Sequence, residues 1–167
     1  PFAFESGTEK AYRLLDEWNL NLTEMEQEAA TLAESEELFE VTVHSYKEMH
    51  ECRSELRLLK QAWDMASLVL EIFNDWRNSL WVSVDVDDMI EETKRLLKEV
   101  KSLPKAVKNW NVFLGLLATV QDMMISLPLI QDLRDESMRE RHWKKLMRIC
   151  GKTFVMDQKF KLDHLLA

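Results

Sequence analysis

The sequence predicts an all-α fold: an elongated helical bundle with one very long helix and coiled-coil-like heptad packing. The main observation is periodicity, because apolar residues recur at alternating intervals of three and four along three stretches, as on one face of an α-helix. The chain also has only three Gly and three Pro in 167 residues, which leaves little material for turns. Charged residues make up 31% and hydrophobic residues 46%, a balance typical of folded helical chains.

The three apolar stripes each keep a seven-residue repeat, which favours left-handed, near-antiparallel packing between helices. The first two stripes differ in phase by one residue, so a bend or a change of packing partner is expected between about 36 and 48. Tryptophan and methionine residues on the stripes are predicted core fillers. The stripes are Leu15, Trp18, Leu22, Met25, Ala29 and Leu32; Met49, Cys52, Leu56, Leu59, Trp63, Ala66, Leu70, Phe73 and Leu80; and Leu103, Ala106, Trp110, Phe113, Leu117, Val120, Met124 and Leu127.

Two regions follow from these patterns. Residues 1–34 are predicted to form an N-terminal helix, with Thr8 or Ser6 as its N-cap. Residues 35–167 are predicted to form the larger helical region, with a connector between its first two helices. The helices predicted there span about 35–80, 86–102, 105–126 and 128–150, with a truncated helix from 162.

Caps and prolines set the limits of these helices. Asp85 or Asp87 is the expected cap of the helix that starts at 86. Pro104 is expected to start the next helix, which should end before Pro128 because proline lacks the N–H that continues a helix. A break is expected near 135–136. In the acidic run 34–40, Leu38 and Phe39 are expected to turn inward.

The end of the basic segment resembles a phosphate-binding loop in three residues, Gly151-Lys152-Thr153. Such a loop needs a second Gly five residues earlier and must leave a strand, but Leu146 stands there and the preceding residues have helical spacing. Gly151 is therefore predicted to lie just past a helix end, in the left-handed conformation.

Candidate metal ligands do not form a complete set in the sequence. His44 and Glu48 make one i, i+4 pair without an evident third ligand nearby, so a surface pair is expected. Asp85, Asp87 and Asp88 resemble the start of a calcium loop, but Ile90 occupies the position that requires Gly. We therefore predict no catalytic, cofactor-binding or metal-binding residue in this chain.

The net charge of −8 is unevenly distributed. Residues 1–60 hold 14 acidic and 6 basic side chains, whereas residues 134–167 hold 5 acidic and 9 basic ones. The acidic first part argues against nucleic acid as a partner. No uninterrupted apolar run of about 18 residues and no signal peptide is visible, which argues against a membrane partner.

The cysteine content bears on the redox compartment of the chain, and the first residue bears on whether the chain is a fragment. Cys52 and Cys150 lie far apart on predicted helices, and with only two cysteines a reducing compartment is the simpler expectation. Both are predicted to be small buried hydrophobes. The chain begins with Pro1 and not with Met, which suggests a fragment of a longer protein.

The basic segment 134–152 allows two interpretations. Arg and Lys residues alternate with Trp143 and other apolar residues, the profile of a calmodulin target or a membrane-surface helix. The alternative is a packed bundle helix whose cationic face lies in water. The second interpretation is favoured, with Trp143 as a core residue.

Several motifs together resemble the heavy chain of dynein, at the end of its tail and the beginning of its linker. The resemblance extends across nearly the whole chain and rests on five segments in this order: LFEVTVHSY, LKQAWDM, FNDWRNSLW, LPLIQDLRDESMRERHWKKLM and FKLDHLLA. These segments are more similar to axonemal than to cytoplasmic heavy chains. The residues most specific to it are Trp63, Trp76, Trp81, Leu127, Pro128, Arg141, His142 and Trp143.

This resemblance implies a non-catalytic lever or linker segment of an ATP-driven microtubule motor. It implies that ATP, magnesium and microtubules are bound by other parts of the heavy chain, whose AAA+ ring would be the main partner, together with other dynein chains. It also implies a location in the cytoplasm and cytoskeleton, in the axoneme of a cilium or flagellum. Two alternatives stay open: a spectrin-like helical interaction module, and a calmodulin-binding segment at 134–152.

Overall fold

The structure, a computed structural model, describes residues 3–42, 45–153 and 160–166. The all-α prediction is confirmed, since α-helices and 3-10 turns account for 83% of the described residues, which contain no β-strand. Six α-helices lie along the described residues, accompanied by three short 3-10 turns, Phe4–Ser6, Trp81–Ser83 and Lys105–Asn109. The bounds of the α-helices are α1 Thr8–Leu38, α2 Lys47–Asn78, α3 Val86–Ser102, α4 Asn111–Arg134, α5 Glu140–Cys150 and α6 Asp163–Leu166.

The first helix begins differently from the prediction. Gly7, with φ 82°, is the N-cap of α1, and neither Ser6 nor Thr8 provides a side-chain hydrogen bond there. Glycine adopts this positive φ without steric cost, which lets the chain turn from the 3-10 turn Phe4–Ser6 into the helix. The predicted hydroxyl cap was therefore wrong.

The very long helix predicted over 35–80 is also wrong. α1 continues to Leu38, and α2 begins only at Lys47 and ends at Asn78. The interruption falls where the one-residue phase slip lies, and Glu40 takes a positive φ of 54° there. Leu38 and Phe39 are exposed, contrary to the inward placement expected for them. The phase slip marks a change of helix because neither stripe can stay on one face across it.

The chain divides into two compact units. The first comprises residues 1–67 and 103–115, and the second comprises 68–102 and 116–167, so that α2 and α4 contribute residues to both. The core of the first unit is centred on Trp63, which is fully buried and stacks on Phe4 at 6.3 Å between ring centroids. The backbone N–H of Phe4 donates to Asn111 Oδ1 at 2.5 Å, and a Cβ at Gly115 would collide with the Phe4 ring.

The heptad stripe of α1 is only half buried. Leu15 and Leu22 are buried, but Trp18, Met25 and Leu32 are exposed. The expected role of Trp18 and Met25 as core fillers is therefore wrong, and the coiled-coil packing predicted for the whole stripe is not confirmed. A helix pair covers one flank of such a stripe, whereas both flanks are covered only when a further helix packs against it.

The second unit has its own apolar core. Buried side chains recur at helical spacing along α3 and α4, and Thr93 is buried with its hydroxyl bonded to the Met89 carbonyl at 2.7 Å. Asp85 is the predicted cap of α3, and its Oδ1 accepts hydrogen bonds from the N–H groups of Asp87 and Asp88 at 3.1 and 3.2 Å. The buried residues of this unit include Val69, Phe73, Val84, Val86, Leu96, Val100, Leu116, Val120, Met123, Leu127 and Ile130.

Proline does not end the fourth helix as predicted. A 3-10 turn, Lys105–Asn109, follows Pro104, and α4 then runs through Pro128 to Arg134. Leu127 and Ile130 on either side of the proline are buried, so packing keeps the helix intact although one helical hydrogen bond is lost. Tertiary burial thus outweighs a local preference worth about 3 kcal/mol.

The end of α4 and the two ends of α5 follow the prediction more closely. The chain breaks after Arg134, and the N–H of Ser137 donates to Asp135 Oδ1 at 2.8 Å in the turn. Gly151 caps α5 in the left-handed conformation, with φ 66° and ψ 14°, as predicted. The described part of α6 begins at Asp163, one residue after the expected start.

The predicted burial of the two cysteines is wrong. Cys52 and Cys150 are exposed and not buried. An 18-residue stretch of α4 has a mean hydropathy of 1.7 and is, by length and composition only, apolar enough to cross a membrane, although it contains no uninterrupted apolar run of that length. Its buried residues recur every three or four positions, which is how a core helix of a packed bundle is built.

A pair of substitutions tests whether packing or local preference controls α4. Leu127→Ala should lower the free energy of unfolding of the 167-residue chain by about 2–5 kcal/mol, because it empties a buried site. Pro128→Ala should raise it by ~2 kcal/mol, because the exposed ring leaves and the missing N–H returns. Urea melts of both variants check this, and a destabilising Pro128→Ala would contradict the account.

Candidate functional site

Three aromatic side chains from distant parts of the sequence meet in the second unit. Trp81 follows α2, Trp143 lies in α5, and Phe160 precedes α6. The Trp81 ring lies 6.1 Å from the ring of Trp143 and 6.0 Å from that of Phe160, both edge to face. Edge-to-face pairs of this kind add about 0.5–1.5 kcal/mol each beyond burial. We call Trp81, Trp143 and Phe160 the aromatic junction.

Backbone hydrogen bonds hold two of these aromatics in register. The N–H of Trp81 donates to the Phe160 carbonyl at 2.8 Å, and the N–H of Leu162 donates to the Ser79 carbonyl at 3.2 Å. Together they form one antiparallel bridge, Leu80 with Lys161. Phe160 and Leu162 are buried on either side of it. The chain after α5 is thus tied back to the end of α2.

Charged and histidine side chains surround the junction. The Arg134 guanidinium lies 5.7 Å from the centre of the Trp81 ring, a cation–π contact. His164 stacks on Phe160 at 5.3 Å, and its Nδ1 accepts the Lys161 N–H at 3.1 Å. His142 does the same at the start of α5, where its Nδ1 accepts the Arg139 N–H at 3.1 Å. Both histidines satisfy backbone donors that a helix start would leave unpaired.

The residues on which the resemblance was based lie in several different surroundings in the structure. Trp81 and Trp143 lie together in the junction, with His142 partly buried beside Trp143 and Arg141 exposed. Trp76 instead packs on Phe73 at 5.4 Å, and Trp63 belongs to the first unit. Leu127 is fully buried in α4, whereas Pro128 is exposed. Sequence spacing indicated Trp143 as a core residue, and its exposed fraction of 8% confirms this.

Phe160 and Arg134 belong to the junction, but the sequence analysis did not single them out. Phe160 sits in the stretch FKLDHLLA, which was noted only for resemblance. The structure brings it to Trp81 through the Leu80–Lys161 bridge, and a single-residue bridge leaves no periodic signal. Arg134 was grouped with the basic segment, where nothing distinguishes it from the other cations.

The residues considered for chemistry serve other roles in the structure. Gly151 follows the end of α5, whereas a phosphate-binding loop must open a helix with its Lys and Ser or Thr. Asp85 caps α3 with the oxygen that a calcium site would require. Within the described residues, no group of three or more His, Cys, Asp or Glu could hold a metal ion. His44, half of the predicted surface pair, lies outside the described residues.

A partly buried ion pair joins helices α1 and α2 in the first unit. Arg53 on α2 donates from Nε and Nη2 to both oxygens of Glu26 on α1, at 3.0 and 2.6 Å. Its other donors reach Asn19 Oδ1 and Thr23 Oγ1 on the same face of α1. The hydrogen bonds from Arg53 hold the pKa of the Glu26 carboxyl below its ordinary value. A forked, two-oxygen contact of this kind also fixes the register of the helices.

A second polar contact joins α1 and α2 further along. The Tyr12 hydroxyl donates to Asp64 Oδ1 at 2.8 Å, and Lys60 reaches both oxygens of the same carboxylate. Burial, followed by the hydrogen bond to Asp64, raises the pKa of Tyr12 to about 12. Burial on its own would raise the pKa of Asp64, but the bonds from Lys60 and Tyr12 lower it.

The fold and these contacts define a helical scaffold segment whose described side chains tie helices together. A family model described as "Dynein heavy chain, N-terminal region 2" matches residues 49–167. The chain belongs to the dynein heavy chain family.

Its relatives are axonemal and flagellar heavy chains. The chain is 42% identical over 180 residues to "Dynein beta chain, flagellar outer arm" of Chlamydomonas reinhardtii, and 38% identical over 167 residues to "Dynein beta chain, ciliary" of Tripneustes gratilla. It is 36% identical over 166 residues to "Dynein axonemal heavy chain 9" of Homo sapiens. These matches cover 99–100% of this chain but 4% of each relative. The chain therefore spans a small part of the proteins it resembles.

Removal of the Trp143 side chain tests the junction. Trp143→Ala should lower the free energy of unfolding by roughly 3–5 kcal/mol, because it removes buried area and leaves a cavity against Trp81. Ile149→Ala is the matched control on the exposed face of the same helix and should change it by less than about 0.5 kcal/mol. Thermal melts that superimpose for wild type and Trp143→Ala would contradict the core placement.

Acid titration tests the Arg53–Glu26 pair. Since the folded-state pKa of Glu26 is lowered, its stabilisation is present above the unfolded pKa of ~4.3 and is lost as pH falls through the folded value. Glu26→Gln should therefore be less stable than wild type at pH 7, and this difference should shrink towards pH 3. Glu34→Gln, exposed on the same helix, should track wild type throughout. A Glu26→Gln deficit that stays constant with pH would refute the pairing.

Proposed function

We propose that this chain is a non-catalytic mechanical segment, a lever or linker, of an axonemal dynein heavy chain. Membership of the heavy chain family supports the motor context, and the ciliary and flagellar names of the relatives support a place in the cilium or flagellum. The observation that carries the mechanical role is the Leu80–Lys161 bridge with the aromatic junction beside it.

The bridge gives tension a short route through the second unit. Force applied to the chain beyond Lys161 passes through two backbone hydrogen bonds to Ser79 and Trp81, at the end of α2. It need not pass through α3, α4 and α5, which lie between these points in the sequence. Trp143 and Arg134 pack on Trp81 and stabilise the route from the side.

The other activities belong, in this proposal, to the rest of the heavy chain. ATP and magnesium are bound by an AAA+ ring outside this chain, and the microtubule is contacted only through distant parts. Gly151-Lys152-Thr153 takes no part in ATP binding, because its geometry is that of a helix end.

The calmodulin alternative loses its main support. A calmodulin target offers an exposed aromatic anchor on a basic amphipathic helix. Trp143 is buried against Trp81 and is therefore not available as such an anchor. Internal repeats at a fixed period would support the interaction-module alternative, and none is visible in the sequence.

The test uses full-length heavy chain that carries Trp81→Ala, with Val82→Ala as the exposed, adjacent control. Trp81→Ala should slow microtubule gliding several-fold while basal ATP turnover stays near wild type. The reason is that the substitution weakens force transmission through this segment but leaves the AAA+ ring, which hydrolyses ATP, unchanged. Val82→Ala should leave both unchanged. Equal loss of gliding and ATP turnover, or no loss of either, would contradict the mechanical role. A melt of the 167-residue Trp81→Ala chain verifies that it still folds.

A further inference from the structure

One row of apolar side chains on α1 is only half covered within its unit. Trp18, Met25 and Leu32 repeat every seven residues and are 54%, 49% and 55% exposed. The neighbouring row, Leu15 and Leu22, is buried. Single exposed apolar residues are ordinary, but a heptad row of large ones beside a buried row is the seam on which a further helix packs.

A groove continues from this row between α1 and α2. It measures about 400 Å³ and is lined mainly by Trp18, Cys52, Leu56, Leu59, Trp110 and Val112. Residues 103–115 close the same side of the unit near Trp63, where Val107 and Val112 are buried. The groove therefore adjoins the exposed row and is bordered by the same segment at Trp110 and Val112.

Charge indicates what would cover the row. α1 holds nine acidic and two basic side chains. Successive residues of a helix are rotated by about 100° around its axis. Glu17, Glu24 and Glu28 therefore lie about 60–100° around the axis from Met25. They are on the side opposite to Glu26, which pairs with Arg53. All three are exposed, and no ion pair joins them to another described residue. They form an acidic rim along the open row.

The acidic rim discriminates between occupants. A second copy of this chain would bring two acidic rims together, and an anionic lipid surface would be repelled in the same way. An amphipathic helix with apolar residues at heptad spacing and lysines along its edge would satisfy both the row and the rim. Because the chain spans only 4% of its relatives, most of a heavy chain lies outside it and can supply such a helix.

We propose that Trp18, Met25 and Leu32, with the adjoining groove, dock a lysine-bearing amphipathic helix from another part of the same heavy chain. The helix lays its apolar face on the row, and its lysines pair with Glu17, Glu24 and Glu28. This docking depends on family membership and not on the lever role, so either can fail without the other.

Carbodiimide coupling of native full-length heavy chain identifies the occupant, because it joins a carboxylate to a lysine only when the two are in contact. Glu17, Glu24 or Glu28 should couple to a lysine of the heavy chain outside residues 1–167, with a yield that falls as salt rises. Coupling to another polypeptide, to a second copy in a mixture of light and isotope-labelled chains, to lysines within 1–167, or to nothing would overturn the proposal.

Two matched triple variants with the same change of charge test the rim itself. Glu17→Gln/Glu24→Gln/Glu28→Gln should abolish the coupling and raise hydroxyl-radical oxidation of Trp18 and Met25 several-fold in the full heavy chain. Glu9→Gln/Asp16→Asn/Glu34→Gln changes exposed carboxylates on the opposite face of α1 and should leave both readouts at wild-type levels. Equal oxidation of Trp18 and Met25 in wild type and in both variants would show that nothing covers the row.

Discussion

The contact of Trp81 with Trp143 and Phe160 is the interaction on which the second unit depends. Each ring belongs to a different stretch of the chain, and each would face water if the other two were removed. The Leu80–Lys161 bridge brings Phe160 to Trp81, and the buried side chains of Phe160 and Leu162 flank its two backbone hydrogen bonds. A short backbone contact that is weak by itself is thus reinforced by the aromatic packing beside it.

The first unit is organised by polar contacts across its helix pair. Arg53 binds Glu26 and two neighbours at one level of α1, and Asp64 accepts from Tyr12 and Lys60 at another. These contacts set the register on one side of α1, while Leu15 and Leu22 fill the space towards α2. When α1 packs against α2, Leu15 and Leu22 of the apolar stripe are buried, and Trp18, Met25 and Leu32 stay about half exposed.

The periodic part of the fold was predictable from the sequence, and the interruptions were less so. Asp85, Gly151 and the break after Arg134 follow from local rules that act within a few residues. Pro128 was misjudged because its helix is maintained by burial of Leu127, a tertiary effect that overrides a local preference. The phase slip near 36–48 was detected, but whether it bends one helix or separates two depends on packing that periodicity does not encode. The junction escaped prediction for the same reason, since Phe160 reaches Trp81 across some 80 residues.

Force spectroscopy of the 167-residue chain tests the claimed route of tension most directly. With handles at residues 47 and 166, tension should be borne by the bridge until one rupture event releases the residues between Leu80 and Lys161. That release should lengthen the chain by ~270 Å at 3.3–3.6 Å per residue, less the folded separation already present. Trp81→Ala should lower the force of this event, and Val82→Ala should not. Gradual extension of residues 82–160 at low force, without a discrete rupture, would contradict the claim that the bridge carries the tension.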